Sequence, residues 1–214
     1  MATVASNLSA ILDSISRLTR KPEDIAIVGV TKLQPVALIR EALAAGVKIL
    51  ANNYAKEGSA LRMACGDLPA KWHFIGHIQS RKVKSLTDYD CIQSLDRISV
   101  AKELEKRLQG DIEVLVEINI GGEAQKSGIA SAALPDFLCE LHAFPRLRVR
   151  GLMAMPPPLE PVEARRPFFQ ELRRLFDRHS FDCLSMGTSR DYLVAIQEGS
   201  TMVRLGTALF GERK

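Results

Sequence analysis

The stretch IAIVGVTKLQPV, from Ile25 to Val36, joins an unbroken apolar run to a lysine and a proline. The run IAIVGV is apolar throughout, which predicts a strand covered on both faces, as in a parallel sheet wrapped by helices. Pro35 suits the first turn of a helix, and the residues after it have helical spacing of their apolar side chains. The stretch therefore predicts a strand followed by a helix, with Lys32 just beyond the carboxyl end of the strand.

The same strand-then-helix unit repeats along the chain. About eight short apolar runs alternate with amphipathic stretches, and Asp96 is a candidate N-cap for the helix that follows YDCIQS. The alternation predicts an α/β fold, a single closed (β/α)8 barrel of the TIM type over residues 1–214. An extra N-terminal helix is predicted by apolar residues at helical spacing: Leu8, Ile11, Leu12, Ile15 and Leu18. An open doubly wound sheet is the structural alternative, although the G-x-G-x-x-G fingerprint and the P-loop are both absent.

Composition and charge narrow the class of protein. The chain is 46% hydrophobic and 25% charged, and its formal net charge of +4 comes from basic residues scattered among acidic ones. Such a pattern argues against a nucleic-acid partner. No apolar segment approaches the roughly 18 residues of a membrane helix, and the N-terminal residues lack the order of a secretory signal. We therefore expect a cytoplasmic protein without a membrane or nucleic-acid partner. His73 and His77 have no third ligand nearby, so no metal site is expected.

In a barrel of this type the functional residues lie where strands end. Phosphate sites are commonly built after strands seven and eight, from backbone N–H groups and hydroxyls at a helix N-terminus. The segments SMGTS and RLGTALFG supply glycines together with Ser189 and Thr207. Two glycine turns, with Ser189 only capping the helix that follows, are the alternative interpretation. Other residues at predicted strand ends are Lys32, Asn53, Tyr54, Gly76, His77, Ser94, Asn119, Met153, Arg204 and Gly206.

A phosphate site and a strand-end lysine together favour one kind of ligand. A partly desolvated lysine amine condenses with an aldehyde. Pyridoxal 5′-phosphate carries both an aldehyde and a phosphate, so it is the ligand that the two features predict. The alternative is that Lys32 only extends into solvent from the rim of the barrel.

Several longer segments then resemble a known family. They are VGVTKLQP, NNYAKE, WHFIGHIQSRKVK, QSLD, VEINIGGEAQKSG, RGLMAMPP and LSMGTSRDYLVAIQEGSTMVRLGTALFGER. From about Ile25 to Arg213 the chain resembles the YggS/PROSC family of pyridoxal-phosphate-binding proteins. The resemblance implies a fold-type III barrel like the N-terminal domain of bacterial alanine racemase, and a role in vitamin B6 homeostasis.

Carried over residue by residue, the resemblance implies roles for the strand-end residues. Lys32 is expected to hold the cofactor as a reversible aldimine (a Schiff base), and Arg204 to face the pyridine nitrogen. The residues expected to bind the phosphate are Ser189, Gly206 and Thr207. The residues expected to line the pocket are Asn53, His77 and Met153.

The chain departs from the family pattern at two positions. The family usually has Gly-Glu-Asn-Tyr where this chain has Ala51-Asn52-Asn53-Tyr54, and it usually has asparagine at the position of Arg81. The first departure removes a carboxylate beside the site. We expect it to alter hydrogen bonding near the cofactor.

The resemblance favours a monomeric carrier and buffer of pyridoxal phosphate over an enzyme, with apoenzymes that use the cofactor as possible acceptors. An arginine only donates hydrogen bonds, so Arg204 would keep the ring nitrogen unprotonated and make the cofactor a poorer electron sink. Alanine racemase uses an arginine in a similar way, but it also needs a tyrosine from its partner subunit, beside a C-terminal β-domain. The chain ends after its last barrel motif, and we expect no catalytic residue among Tyr54, Tyr89 and Tyr192. The alternatives are a racemase-like fold-type III enzyme acting on a small amino acid and, more distantly, an aldolase-like barrel enzyme acting on a sugar phosphate.

Overall fold

The computed structural model describes residues 3–19 and 21–212, and these form a closed barrel of eight parallel strands. The strands are β1 (Ala26–Val30), β2 (Ile49–Asn52), β3 (Lys71–Phe74), β4 (Cys91–Leu95), β5 (Ile112–Ile118), β6 (Leu147–Ala154), β7 (Cys183–Thr188) and β8 (Met202–Leu205). The helices are α1 (Val4–Ser16), α2 (Val36–Ala44), α3 (Ala55–Ala64), α4 (Ile98–Arg107), α5 (Leu134–Leu141), α6 (Arg166–Phe176), α7 (Tyr192–Gln197) and α8 (Thr207–Phe210). A 3-10 helix, Ser80–Leu86, follows β3.

The barrel closes where β8 pairs with β1, with Arg204 in register with Val28. This closure confirms the predicted TIM-type barrel and rules out the open sheet. All eight strands run in the same direction, so their carboxyl ends surround one mouth. Side chains alternate between the inside and the outside of the barrel along each strand. Val28 packs inside against Ala51 and Met202, and the alternation continues inward to the position of Lys32.

The barrel interior contains several polar side chains. Interiors of this fold are usually filled by branched aliphatic residues. Here His73, Gln93, Ser185 and Arg204 are all buried. A buried polar side chain is costly unless it is hydrogen-bonded, so these residues indicate a function rather than packing alone.

The outer layer of the core lies between the strands and the helices. The FFQELRRLF segment predicts an apolar helix face, and α6 indeed buries Phe169, Leu172, Leu175 and Phe176. Each such side chain contributes about 1.5–3 kcal/mol when fully buried. This layer is continuous around the barrel and leaves the mouth as the place where polar side chains gather.

The N-terminal helix α1 packs on the outside of the barrel, near the position where β8 pairs with β1. The Asn7 side chain donates a hydrogen bond to the carbonyl of Leu209 (3.0 Å), and the backbone N–H of Val4 donates to Glu41 (2.9 Å). These bonds tie α1 to α8 and α2, which flank β8 and β1. No helix within residues 3–19 and 21–212 is long and apolar enough to cross a membrane.

Two helix starts differ from the expectations from sequence. Helix α4 begins after Arg97 without a side-chain cap, and the carboxylate of Asp96 instead accepts a hydrogen bond from the N–H of Gly128 (3.4 Å). Helix α7 begins at Tyr192 rather than at Ser189. Ser189 lies in the turn before it, so its hydroxyl is available for another partner.

Candidate functional site at the mouth of the barrel

The lysine side of the mouth is formed by the residues that follow β1 and β2. Lys32 is half-buried, and its Nζ lies 5.6 Å from the centroid of the Tyr54 ring. Tyr54 is mostly exposed, and a cation–ring contact at such a site is worth about 0.5–1 kcal/mol. The contact with Tyr54 is therefore weak and does not engage the Lys32 amine in a hydrogen bond.

The backbone on both sides of Lys32 is held by side chains. Before it, the buried Thr31 hydroxyl donates to the carbonyl of Ala51 (3.1 Å) and accepts from the Asn52 amide (2.5 Å). After it, Glu57 accepts a hydrogen bond from the N–H of Leu33 (3.0 Å). Leu33 has a φ of 58°, in the left-handed region, which costs a residue with a side chain on the order of 1–3 kcal/mol. The Glu57 contact offsets part of that strain.

Asn52, which replaces the usual glutamate, does not face the mouth. It is completely buried between β2 and α3, close to the Tyr89 hydroxyl. A Cβ placed on Gly58 would lie 2.0 Å from that hydroxyl and 2.7 Å from Asn52 Oδ1, so only glycine fits at position 58. Asn52 thus contacts the segment that carries Lys32 only indirectly, through its hydrogen bond to the Thr31 hydroxyl.

The segments after β7 and β8 contain a group of hydrogen-bond donors that we call the cup, and β8 is the strand that pairs with β1. It consists of the Ser189 hydroxyl, the backbone N–H groups of Gly206 and Ala208, and the Thr207 hydroxyl. Ser189 Oγ accepts hydrogen bonds from the N–H of Gly206 (3.0 Å) and of Ala208 (3.1 Å). Two backbone donors therefore converge at one point at the start of α8, an arrangement suited to an oxyanion.

Arg204 lies inside the barrel next to the cup. Its Nη1 donates to the carbonyl (2.9 Å) and the hydroxyl (2.6 Å) of Ser185, and its Nη2 donates to the carbonyl of Ala154 (3.0 Å). Burial lowers the pKa of Arg204 to about 10, opposed mainly by the nearby Glu117 carboxylate. The guanidinium is therefore still charged at neutral pH, and it is fixed in place across three strands.

A chain of hydrogen bonds continues from Arg204 through the interior. Because the Ser185 hydroxyl accepts from Arg204, its own proton goes to Gln93 Oε1 (2.7 Å). The Gln93 amide nitrogen then lies 2.8 Å from Nδ1 of His73, which acts as the acceptor. Burial lowers the pKa of His73 to about 4, so the ring is neutral. Ser185 and Gln93 were not identified from the sequence, where they stand inside apolar runs, and His73 was considered there only as a metal ligand.

Glu117 is a further acidic group near the mouth that the sequence analysis missed. Burial raises the pKa of Glu117 to about 7, and the Asp96 carboxylate adds to this effect while Arg204 opposes it. The signal in the sequence was a single carboxylate inside the apolar run IEVLVEINI. Its environment gives the interior near Arg204 a group that titrates close to neutral pH.

The remaining predicted residues lie at different depths. Asn53 and His77 both border a cavity of about 520 Å³ between α3 and the 3-10 helix Ser80–Leu86. His77 is exposed, with Nδ1 2.8 Å from the Ser127 hydroxyl. Met153 is buried deeper in the barrel, in register with Ser185. The structure therefore places Asn53 and His77 at the edge of the mouth and Met153 in its floor.

The donor set fits the chemistry of pyridoxal 5′-phosphate. The cup offers N–H groups and hydroxyls to a phosphate, Lys32 offers an amine to an aldehyde, and Arg204 offers a fixed donor to a ring nitrogen. A Cβ added at Gly206 would displace no neighbour, since its nearest atom would be Val30 Cβ at 3.9 Å, an ordinary van der Waals contact.

Among the described residues, a further cavity of about 610 Å³ lies away from the mouth between α5 and the segment 179–181, and its lining is mainly apolar. Its lining contains no lysine or arginine. Within the same part of the chain, no group of three or more His, Cys, Asp or Glu side chains is placed to hold a metal ion.

Sequence comparisons connect this geometry to known proteins. The family model for the alanine racemase N-terminal domain matches residues 6–214. A pyridoxal phosphate homeostasis protein of Pseudomonas aeruginosa is 40% identical over 223 residues, covering 100% of this chain and 97% of its own length. A protein of the same name from Aquifex aeolicus is 40% identical over 221 residues, covering 97% of each chain.

Two solved structures are also similar to this chain. PipY of Synechococcus elongatus PCC7942, determined with pyridoxal phosphate bound, superposes with a TM-score of 0.86 at 28% identity and covers 98% of this chain and 100% of its own. Alanine racemase of Corynebacterium glutamicum superposes with a TM-score of 0.70 at 17% identity over 96% of this chain and 61% of its own. The second similarity shows the barrel fold alone.

Proposed function

This chain belongs to the alanine racemase N-terminal domain family and, within it, to the pyridoxal phosphate homeostasis proteins, and from this premise we propose that it carries and buffers pyridoxal 5′-phosphate. The observation that carries the proposal is the mouth itself. A reactive amine, an oxyanion cup and a buried guanidinium surround one opening, and each matches a different part of the cofactor.

Lys32 is the proposed point of covalent attachment. When bound, the cofactor supplies an aldehyde that bonds reversibly to an amine and a ring that withdraws electrons. The backbone on both sides of Lys32 is held by Thr31 and Glu57, and the Lys32 Nζ lies 5.6 Å from the centroid of the Tyr54 ring. Such an arrangement keeps the amine in place while leaving it able to exchange ligands.

The cup is the proposed phosphate site. The N–H groups of Gly206 and Ala208 already point at the Ser189 oxygen, and the Thr207 hydroxyl lies between them in the chain. Hydrogen bonds to a charged partner are worth about 1.5–3 kcal/mol each. The cup would therefore supply most of the noncovalent affinity and would prefer phosphorylated forms of the cofactor.

Arg204 is the proposed partner of the ring nitrogen, and this role argues for binding rather than turnover. Its guanidinium is charged and held by Ser185 and Ala154, so it would donate a hydrogen bond to the ring nitrogen and would not protonate it. Asn53, His77 and Met153 complete the proposed pocket. We assign no residue of this chain a catalytic role.

An absorption spectrum tests the cofactor assignment. The purified protein mixed with pyridoxal phosphate should show a near-visible band that borohydride removes, and digestion should recover the reduced label on the peptide that contains Lys32. No band, or a label on a different lysine, would contradict the proposed site. A sugar-phosphate enzyme of the aldolase type would show no such band.

The proposed acceptors are apoenzymes that use pyridoxal phosphate. The loaded protein should restore activity to such an apoenzyme when the two are mixed. An excess of an unrelated amine in the mixture traps any free cofactor. We also propose that the carrier is a monomer, which light scattering during size-exclusion chromatography measures directly. Failure to restore activity under these conditions would leave buffering, and not delivery, as the function.

A further inference from the structure

A buried ion pair lies next to the cup but does not belong to it. Arg165, in the loop after β6, and Asp191, in the turn after β7, meet with Nη1 and Oδ2 2.9 Å apart. Their side chains are only 5% and 3% exposed. Charged residues are buried this completely only when paired, and breaking such a pair is costly. The pair therefore fixes the two segments to each other.

Asp191 closes the turn that carries Ser189. Its Oδ1 accepts hydrogen bonds from the N–H (2.6 Å) and the hydroxyl (2.9 Å) of Thr188, and its own N–H donates to the Thr188 carbonyl (3.0 Å). Ser189 is the first of the two residues enclosed by these three bonds. The direction of its hydroxyl toward Gly206 and Ala208 thus depends on Asp191.

Arg165 extends the same connection to the proline-rich loop. Its Nε donates to the carbonyl of Leu159 (2.9 Å), and its Nη2 donates to the Glu160 carboxylate (3.1 Å). Glu160 is 62% exposed, so this second ion pair faces water. One guanidinium therefore joins the loop after β6 to the turn that aims Ser189.

We propose that Arg165 and Asp191 are positioning residues that give the site its selectivity for a phosphorylated ligand. They hold the Ser189 turn so that its hydroxyl and the α8 N–H groups converge on one phosphate monoester. They act through Ser189 and not by contact with the ligand. This inference rests on the proposed function, because it takes the cup to be the phosphate site.

The test compares pyridoxine 5′-phosphate with pyridoxine, two probes that lack the aldehyde and so do not depend on Lys32. The double variant Arg165→Met with Asp191→Leu leaves no buried charge unpaired and removes the oxygen that accepts from Thr188. We expect its Kd for pyridoxine 5′-phosphate to rise at least tenfold and its Kd for pyridoxine to change less than twofold. The control Glu160→Gln removes the exposed partner of the same guanidinium and should leave both values within twofold.

If thermal melting shows that the double variant does not fold, a milder variant tests the same contacts. Thr188→Val removes the hydroxyl bond to Asp191 and should weaken phosphate binding by a smaller factor, again without affecting pyridoxine. Arg165→Lys, which keeps the charge, should retain more of the phosphate preference than Arg165→Met. Equal losses for the two probes, or no loss for either, would overturn the positioning role.

The covalent band of wild-type protein with pyridoxal phosphate, measured in parallel, separates the two hypotheses. If the wild type shows no band but prefers the phosphorylated probe, and the variants lose that preference, the covalent carrier is contradicted and the role of Arg165 and Asp191 is supported. If the wild type shows a normal band and the variants keep the preference, the covalent carrier is supported and the positioning role is contradicted.

Discussion

The two sides of the mouth are built in opposite ways. On the lysine side, the proposed reactive group is half-exposed, and its Nζ has a weak contact with the Tyr54 ring. On the cup side, Ser189 and Arg204 are held by networks of hydrogen bonds that reach the barrel interior and a buried ion pair. A group that forms and breaks a bond needs freedom, whereas donors that recognise a fixed anion gain from being held in place beforehand. A carrier needs both kinds of group, the mobile amine and the fixed donors, to contact the same ligand.

The strongest way to test the lysine side is to remove the amine. Lys32→Ala should abolish the near-visible band and the borohydride-reducible attachment completely. The melting temperature should change little, since a half-exposed lysine contributes little to the core. Lys56→Ala, an exposed lysine on α3, is the matched control and should keep the full band. Covalent cofactor retained in Lys32→Ala would move the attachment point to another lysine.

The next largest effect should come from the cup. Ser189→Ala with Thr207→Val should weaken pyridoxal-phosphate binding at least tenfold, about 1.4 kcal/mol, because charge-assisted hydrogen bonds are lost. Binding of unphosphorylated pyridoxal should be nearly unchanged. Titration of the absorption band with each ligand measures both values.

The control for the cup makes the same chemical change elsewhere. Ser85→Ala with Thr87→Val removes two hydroxyls that donate only to nearby carbonyls of their own 3-10 segment. This variant should bind both ligands normally. If the cup variant loses affinity for both ligands to the same degree, its hydroxyls support the loops and do not contact the phosphate.

A smaller effect is expected from Glu117, the titrating group beside Arg204. Its pKa of about 7 lies above the 4.5 of an ordinary glutamate, so the folded protein binds more protons than the unfolded chain between these pH values. Stability from this group is therefore complete below about pH 4.5 and is lost as the pH rises through 7. Because Glu117 is partly accessible to water, solvent screening reduces its contribution to stability.

Glu117→Gln removes this pH dependence, because glutamine does not ionise. We expect the variant to be more stable than wild type by about 1 kcal/mol at pH 8 and to differ little at pH 4. Urea unfolding at both pH values measures the difference. A variant that is less stable than wild type at pH 8 would show that the charged carboxylate is favourable beside Arg204.

The two sides also differ in how far the sequence predicts them. The sequence predicts the position of Lys32 because a strand, a lysine and a helix start follow one another within twelve residues, and the barrel follows from repetition of that local pattern. The position of the cup after β8 is predicted for the same reason, since RLGTALFG is one short segment in which glycine, hydroxyl and helix start are adjacent. The roles of these residues stay predictions.

The supporting contacts on the cup side could not be predicted in this way. Arg165 and Asp191 are 26 residues apart, and Gln93 and Ser185 are 92 apart. Which buried polar groups meet depends on barrel register, and nothing in the local pattern specifies it. Asn52 shows the same limit, because its substitution was visible in the sequence while its direction, away from the mouth and toward Thr31, was not.

The smallest expected effect separates a carrier from an enzyme. The Tyr54 phenol is an acid or base candidate near Lys32, and the contact between them involves the face of the ring. Tyr54→Phe keeps that face, so it should leave cofactor affinity within about twofold. Loaded wild-type protein given L-alanine in heavy water should show only slow deuterium exchange and no D-alanine, and Tyr54→Phe should match it. A proton-transferring phenol contributes about 10²–10⁴-fold to a rate. Racemisation by wild type on the order of 1 s⁻¹ that collapses in Tyr54→Phe would therefore make this chain a racemase-like enzyme whose exposed tyrosine is its second acid or base.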